Sequence, residues 1–376
     1  MFTRRLYCAR LSTVLTIGSA LTMALAMPAM GVPGAANTGL LAPGAVYTMT
    51  NSPGSNEVVM YSRAANGALG APRFFPTGGS GNGGGLGSQG ALAISDDGHW
   101  LLSVNAGSND VTVFSTKNGE LTMTDRAASG GVMPISVAIH GDLVFVLNAG
   151  GSANITGFQL TQAGALVPIP GTTQVLPGAA PAQVSFANHG DTLVVTEKAS
   201  NTITVYTIEK GMVSGPSSHP SSGVTPFGFG VSMMDVLVVS DAAGGAPGAS
   251  TVSSYLVNEN GSLQPVTAAL PTGETAACWV AVTRNGRYAY VANTGSSTIS
   301  SVGVRRDGSL TLLDPVAGRT PPGTPAIDLA LSVNSRYLYA LAGGTISAFR
   351  VSPGSSLTPL QVVTGLPPST AGLVAR

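Results

Sequence analysis

One short phrase recurs seven times along this chain and constrains its fold more than any other feature. Each copy has a run of apolar residues, a small polar turn and an alternating segment, as in LLSVNAGSNDVTVFS. The central apolar runs end, 43 to 54 residues apart, at Asn51, Asn105, Asn148, Glu197, Asp241, Asn293 and Ala342. Self-similarity at a period of about 40–50 residues is typical of propeller blades.

Each unit contains two further segments around the phrase. An apolar stretch such as WVAVTRNG comes before it, and a G-x-L element such as NGSLQP comes after it. Strand-length runs separated by turn residues predict four antiparallel strands per unit. One such sheet cannot bury both of its faces, whereas seven arranged radially cover one another. We therefore predict an all-β fold over residues 37–376, a seven-bladed β-propeller of four-stranded antiparallel blades.

The two ends of the repeated region are incomplete units that match each other. AVYTMT, which begins at Ala45, matches the second strand of a unit, and STAGLVAR at the C-terminus matches a first strand. We expect Ala371 to Arg376 to complete the blade that residues 45–75 begin. The C-terminal strand would then close the ring.

Residues 1–36 have the pattern of an export signal peptide followed by a short flexible segment. Arg4, Arg5 and Arg10 precede an apolar run from Leu11 to Met27, and small residues after it offer cleavage sites. We expect a secreted or periplasmic protein with no stable membrane span after cleavage. An uncleaved anchor is the alternative, and the arginine pair also permits the twin-arginine route.

The charge and cysteine content exclude several classes of protein. Only 9% of the residues are charged, and after residue 36 there are 14 basic and 17 acidic residues, a net charge of about −3. A nucleic-acid partner would require a basic surface, so none is expected. After cleavage Cys278 would be the only cysteine, which cannot form an internal disulfide. We expect a monomer stabilised by its core.

No cofactor or metal site is predicted from the sequence. His99, His140 and His189 lie in turns of successive units, at positions that we expect to be tens of ångströms apart, and no two histidines have metal-ligand spacing. The stretch from Gly78 to Gly90 lacks the G-K-[ST] ending of a phosphate loop. It is interpreted as a linker, or as a segment that lies over the mouth of the ring.

The units SDDGHWLLSVNAGSNDVTVFS and TRNGRYAYVANTGSSTISSVGVRRDGSL resemble blades of the lactonase-type seven-bladed β-propellers, the family of 6-phosphogluconolactonase and carboxymuconate cyclase relatives. The resemblance implies a catalytic set of an acidic residue, a histidine and arginines at the mouth of the ring. Glu197 matches the acidic position. The family usually has Arg-His where this chain has Ala182-Gln183, and a histidine near Ile135–Ser136. The comparison thus implies that the histidine and arginine partners are lost.

Two functions are compatible with this pattern. The first is an exported propeller that binds a small polar ligand, a sugar acid or lactone, at the channel mouth without catalysis. The alternative is an active lactone hydrolase or cycloisomerase, with Glu197 as general base and Gln183 as oxyanion donor. The sequence leaves open whether the chain is an enzyme.

The predicted ligand site combines residues from segments that lead into the first strands of the units. In a propeller these segments converge at the channel mouth, where ligands bind. Besides Gln183 and Glu197, we predict that the ligand contacts Gln89, Ser136, Phe227, Trp279 and Asp328. Such aromatic and mostly uncharged polar groups suit a small polar ligand. A phosphorylated substrate would require arginine or lysine.

Overall fold

The structure, a computed structural model, describes residues 44–376, and the predicted export signal lies outside the described residues. The described residues form a seven-bladed β-propeller of antiparallel sheets, as the repeat predicts. In each blade the first strand is innermost and the fourth is outermost. In blade 3 the fourth strand is divided into two short strands that both pair with the third strand.

Each blade is assigned by its strands. Blade 1 contains β1 (Gly44–Met49), β2 (Glu57–Arg63), β3 (Leu69–Pro76) and the C-terminal β29 (Ala371–Ala375). Blades 2 and 3 contain β4 (Leu92–Ile94), β5 (Trp100–Asn105), β6 (Asp110–Ser115), β7 (Thr122–Ala128), β8 (Val132–His140), β9 (Leu143–Gly150), β10 (Asn154–Leu160), β11 (Leu166–Pro168) and β12 (Gln174–Val175). Blades 4 and 5 contain β13 (Pro181–Ala187), β14 (Thr192–Glu197), β15 (Thr202–Glu209), β16 (Met212–Pro220), β17 (Pro226–Val231), β18 (Val236–Asp241), β19 (Thr251–Val257) and β20 (Leu263–Pro271). Blades 6 and 7 contain β21 (Ala277–Val282), β22 (Tyr288–Asn293), β23 (Thr298–Val304), β24 (Leu310–Arg319), β25 (Ala326–Leu331), β26 (Tyr337–Ala342), β27 (Thr345–Val351) and β28 (Leu357–Val363).

Helix is nearly absent from residues 44–376. It is limited to three single 3-10 turns, Lys117–Gly119, Asn188–Gly190 and Ala243–Gly245. None of them has the length or the apolar character that a membrane-crossing helix requires.

The position of a strand within its blade determines how far it is buried. Every residue of β14, a second strand, is buried, whereas most residues of the outermost β16 are exposed. Second strands lie between neighbouring sheets, so their sequences are continuous apolar runs. Large aromatic side chains fill the space between blades. Among the fully buried residues, Tyr290 donates to the carbonyl of Ser355 in blade 7 (3.0 Å) and Tyr339 to that of Gly67 in blade 1 (2.8 Å).

The C-terminal strand closes the ring, which confirms the prediction from the incomplete units. β29 pairs with β1 in antiparallel register, Val46 opposite Ala375 and Tyr47 opposite Val374. The last residue, Arg376, donates its backbone N–H to Ala45 (2.7 Å) and its guanidinium to the carbonyl of Gly98 in blade 2 (2.7 Å). The C-terminus therefore links blade 1 to its neighbour.

The two ends of the propeller are built from different connections. We call the end with the connections between blades, and the turns between second and third strands, the upper face. The lower face carries the turns between first and second strands and between third and fourth strands. Antiparallel pairing throughout the seven sheets produces this division.

Removal of residues 366–376 should lower the melting temperature by about 10 °C or more, because the deletion leaves β1 without an inner partner. Circular dichroism melting curves measure the effect. A deletion of the exposed loop residues 244–248 is the control and should change the melting temperature by only a few degrees. An unchanged melting curve after removal of β29 would contradict its role in closure.

Candidate ligand site at the upper end of the channel

The Gly-rich segment Gly78–Gly90, which we call the strap, crosses the upper end of the channel. The hydroxyl of Ser88 donates to the carbonyl of Ile135 in blade 3 (2.8 Å), and the Gln89 N–H donates to Ala182 in blade 4 (3.1 Å). The indole N–H of Trp279 in blade 6 donates to the Ser88 carbonyl (3.0 Å). The second interpretation of this stretch, as a segment over the mouth, is therefore confirmed.

Four of the predicted site residues lie at one repeated position. The first strands of blades 3, 4, 6 and 7 each contain a bulge near the upper face. A bulge redirects the side chain that follows it. The residues just after these bulges are Ser136, Gln183, Trp279 and Asp328.

Gln183 uses its whole carboxamide to join two blades. It donates from Nε2 to the carbonyl of Phe229 (3.1 Å) and accepts the Phe229 N–H at Oε1 (2.7 Å). Because both ends of the amide are engaged, Gln183 could act as an oxyanion donor only if these two hydrogen bonds were broken.

Gln89 makes the same pair of hydrogen bonds from the strap. Its Nε2 donates to the carbonyl of Val280 (2.8 Å) and its Oε1 accepts the Val280 N–H (3.0 Å). The equivalent first-strand residue of blade 5 is Gly228, and a Cβ there would collide with Gln89 Oε1. The strap thus supplies the side chain that blade 5 lacks.

Ser136 and Asp328 are buried in contacts between first strands. Ser136 accepts the N–H of Val184 from blade 4 at its hydroxyl oxygen (3.2 Å). Asp328 Oδ1 accepts the N–H of Leu329 (2.8 Å), and a further backbone hydrogen bond comes from Leu373 of blade 1. Burial raises the pKa of Asp328 well above its ordinary value.

Phe227 and Trp279 form an aromatic pair under the strap, together with a cation that the sequence analysis missed. Their ring centroids are 5.0 Å apart, and Nζ of Lys198 lies 4.7 Å from the Phe227 centroid. The same ammonium group donates to the carbonyl of Gly87 in the strap (2.5 Å). Burial lowers the pKa of Lys198, and the neighbouring Cys278 opposes this shift.

The sequence does contain a signal for Lys198. The residue after the apolar run is small in the six other copies of the phrase, namely Ser52, Ala106, Ala149, Ala242, Thr294 and Gly343. A long cationic side chain at this position in one copy is therefore an exception to the repeat. Residues that depart from a repeated structural pattern are candidates for function.

Glu197, the predicted base, is fully buried at the upper end of β14. Neither carboxylate oxygen has a hydrogen-bond partner of good geometry among residues 44–376, and the nearest donors are the Thr204 hydroxyl and the Gly178 N–H. A Cβ at residue 178 would collide with Glu197 Oε2. Burial raises the pKa of Glu197, and the two weak donors oppose the shift.

In several other blades the residue equivalent to Glu197 forms structural hydrogen bonds, although blade 7 has Ala342 there. The amide of Asn105 donates to the hydroxyl of Thr112 (2.9 Å), and that of Asn293 donates to Ser300 (2.8 Å). Asp241 in blade 5 accepts hydroxyl groups from Ser253 (2.6 Å), Thr251 (3.1 Å) and Ser221 (3.3 Å). A polar residue here joins the second strand to the third.

The histidines of the lower face are closer together than the sequence analysis expected. His140 and His189 line one cavity of 320 Å³, and Gly190 packs directly against the His140 ring. His140 Nδ1 is 3.6 Å from Asp96 Oδ2, and His189 Nε2 is 3.4 Å from Asp235 Oδ2. The expectation of tens of ångströms was wrong, because turns of adjacent first strands meet beside the channel. No group of three or more His, Cys, Asp or Glu side chains within residues 44–376 could hold a metal ion.

A second cavity, of 360 Å³, occupies the channel below the strap. It extends from Gly90 and Gln183 to Asp96 and His140, and apolar side chains of the first strands, such as Leu92 and Val184, line its wall. The strap therefore separates the upper mouth from an apolar channel that opens near the lower face.

Comparison with known proteins finds one matching family model and several structures of the same fold. The model of the family Lactonase, 7-bladed beta-propeller, matches residues 46–176. A candidate 6-phosphogluconolactonase of Bacteroides fragilis superposes with a TM-score of 0.69 at 16% identity, covering 88% of this chain and 97% of that chain. The periplasmic gluconolactonase of Pseudomonas aeruginosa superposes with a TM-score of 0.68 at 18% identity, covering 88% and 98%. No curated protein matches the sequence.

Replacement of Asp241 by asparagine should stabilise the protein at neutral pH. Burial raises the pKa of Asp241 from 3.8 to about 6, so its ionisation in the folded protein destabilises the fold. The contribution of Asp241 to the free energy of unfolding is fully present below pH 4 and is lost as the pH rises through 6. Relative to the wild type, Asp241→Asn should therefore gain about 2–3 kcal/mol in the free energy of unfolding between pH 4 and pH 7.

Urea unfolding of both proteins at the two pH values measures this difference. The control is Asp307→Asn, since hydrogen bonds from Ser309 lower the pKa of this exposed carboxyl. Relative to the wild type, the free energy of unfolding of Asp307→Asn should not increase between pH 4 and pH 7. Equal differences between Asp241→Asn and the wild type at both pH values would show that the carboxyl is not destabilised by burial.

Proposed function

We propose that this seven-bladed β-propeller, whose residues 46–176 match the lactonase family model, binds a small sugar acid or sugar lactone at the upper end of its channel without hydrolysing it through Glu197. The strap is displaced from the aromatic pair when the ligand binds. The observation that carries the proposal is the pair of donors, Lys198 Nζ and Trp279 Nε1, which both point at carbonyl oxygens of the strap.

The two donors define the chemistry of the ligand. They hold the carbonyls of Gly87 and Ser88, which are neutral acceptors. A carboxylate forms charge-assisted hydrogen bonds that are about twice as strong as neutral ones. The carboxylate of a sugar acid, or the carbonyl of a lactone, therefore replaces the strap carbonyls, and the rings of Phe227 and Trp279 pack against the sugar.

The strap is suited to such an exchange. A Cβ at Gly84 or Gly85 would meet no atom within 4 Å, so this part of the strap has open space beside it. Gly87 has a φ of +58° and returns the chain toward the channel in a conformation that side chains disfavour. The lower half of the strap, by contrast, is held at Gln89 by two hydrogen bonds to blade 6. Movement is thus confined to residues before Gln89.

The geometry of Glu197 favours binding over catalysis. A general base must come within about 2.6–3.2 Å of the proton that it removes. The backbone of Gly178 covers one carboxylate oxygen of Glu197, and the side chain is fully buried. A water molecule or lactone would reach this carboxylate only after the connection before β13 had moved.

The alternative, an active lactone hydrolase, is supported by one specific observation. Glu197 is a buried carboxylate without a good hydrogen-bond partner among residues 44–376, its pKa is raised, and Lys198 follows it directly. A base beside a cation could activate water and stabilise the oxyanion if the connection opened.

Export to the periplasm or the outside of the cell is a further part of the proposal. It is supported by the signal-like pattern of residues 1–36, with its three arginines and apolar run. N-terminal sequencing of the mature protein, with a start after about residue 30, would test it.

Gluconate and glucono-δ-lactone should raise the melting temperature of the wild-type protein, and Lys198→Met should lose most of that increase. The substitution keeps the apolar stem and removes the ammonium group. At 100 times the dissociation constant a ligand stabilises the fold by about 2.7 kcal/mol, which a thermal-shift assay detects. The matched control, Lys210→Met, removes an exposed lysine of the same blade and should keep the full shift. An equal shift in Lys198→Met would contradict the proposed site.

A panel of sugar lactones should show no turnover above spontaneous hydrolysis, by either the wild type or Glu197→Gln. Since asparagine occupies the equivalent position in other blades, the amide should leave the fold intact. A pH-stat measures acid release, and the melting temperature of each protein confirms folding. Turnover by the wild type that Glu197→Gln abolishes would establish the alternative and reject a binding-only function.

A further inference from the structure

Charge is divided unevenly around the ring. Residues 44–276, which include blades 2 to 5 and most of blade 1, contain six Lys or Arg and 14 Asp or Glu. Residues 277–376 contain eight Arg and three Asp. One of these aspartates is the buried Asp328. Seven of these arginines lie in blades 6 and 7, and the eighth, Arg376, follows the C-terminal strand of blade 1. Blades 6 and 7 are therefore a basic sector beside the acidic blades 2 to 5.

Six of the seven arginines of blades 6 and 7 lie on the lower face, and the exception is Arg319 at the upper end of β24. In each of the two blades the six lie in or beside the turn between the first two strands and the turn between the last two strands. The two blades meet there, because the N–H of Arg284 donates to the Ser335 hydroxyl (2.8 Å). The exposed arginines on this face are Arg284, Arg287, Arg305, Arg306, Arg336 and Arg350.

Three of these arginines line a groove on blade 6. The groove has a volume of 380 Å³, and Arg287, Arg305 and Arg306 line it together with Tyr288. Gly303 pairs with Tyr288 on one side and with Thr311 on the other. Because Gly303 has no side chain, the row of side chains across the sheet is interrupted there and a depression forms.

Carboxylates do not neutralise the groove. Within residues 44–376 the ion pairs closer than 4.0 Å involve Arg73, Arg126, Lys210 and three histidines, and none of the six arginines of the lower face. Asp307 is the nearest acidic neighbour in the sequence, and Arg305 contributes to lowering its pKa. Exposed arginines that form no ion pair closer than 4.0 Å leave a positive potential at this face.

We propose that this groove binds an acidic polysaccharide, a polymer of uronic acid units. The planar guanidinium group matches a carboxylate with two parallel hydrogen bonds, so three arginines in one groove suit a chain with a carboxylate on each unit. Tyr288 offers an aromatic ring to a sugar. The three arginines line a shallow groove, which favours a polymer chain over a flat membrane as the ligand. This site is independent of the ligand site at the upper face.

The acidic blades contribute to specificity. Asp96, Asp142, Asp191 and Glu259 lie in lower-face turns of blades 2 to 5 and are exposed. They repel a polyanion from the rest of the face. The polymer is therefore steered to blades 6 and 7, and its association depends on ionic strength.

Binding of fluorescein-labelled polygalacturonate fragments, followed by fluorescence anisotropy, tests the proposal. We expect binding at about 0.01 M salt that weakens at about 0.15 M, where the Debye length falls from about 30 Å to about 8 Å. The triple variant Arg287→Gln/Arg305→Gln/Arg306→Gln should bind about tenfold more weakly or worse, because it loses its charge-assisted contacts.

The matched control removes three positive charges elsewhere. Lys117→Gln/Lys210→Gln/Arg73→Gln has the same net charge as the groove variant and should bind within about twofold of the wild type. Equal weakening in both variants would show that net charge alone governs binding and would overturn the proposal. Wild-type protein that binds phosphatidylglycerol vesicles and not polygalacturonate would overturn it as well. Both variants should melt at the wild-type temperature, so weak binding cannot be a consequence of unfolding.

Discussion

The unpaired inner edge of each first strand is the constraint on which the channel depends. A first strand has a hydrogen-bonded neighbour on one side only, so backbone N–H and C=O groups face the centre of the ring. Such groups are costly to bury without partners. Gln183 and Gln89 satisfy both groups of a residue in the next first strand, and Ser136 satisfies one N–H. Polar side chains at the mouth are thus required by the architecture before any ligand is considered.

This requirement explains why only part of the site could be predicted. The repeat gave the number of blades and the ring closure, because periodicity and the incomplete end units depend on sequence order alone. Position in the repeat also placed Gln183 and Trp279 near the mouth. It could not show that Gln183 is already engaged with Phe229, since that contact depends on the register between two blades. The expectation that His140 and His189 lie far apart was wrong for the same reason, because their closeness depends on how adjacent blades pack.

Departures from the repeat were more informative than agreement with it. Glu197 was selected because it matched a family position, yet in this fold it occupies a site that asparagine and aspartate fill in other blades. Lys198 has no counterpart in the other copies, and it is the residue whose charge reaches the aromatic pair. Similarly, Gly228 interrupts the row of first-strand side chains, and the strap fills the gap with Gln89. The strap would otherwise lack a fixed path across the channel.

The two buried carboxyls of the upper face differ in their hydrogen-bond partners. Asp241 accepts three hydroxyl groups, which oppose the rise in its pKa that burial causes but do not cancel it. Glu197 has only weakly placed donors, and burial raises its pKa as well. The neighbouring Lys198 forms no ion pair within 4.0 Å among residues 44–376 and donates to a neutral carbonyl. At the proposed site this cation would favour an anionic sugar acid over a neutral lactone.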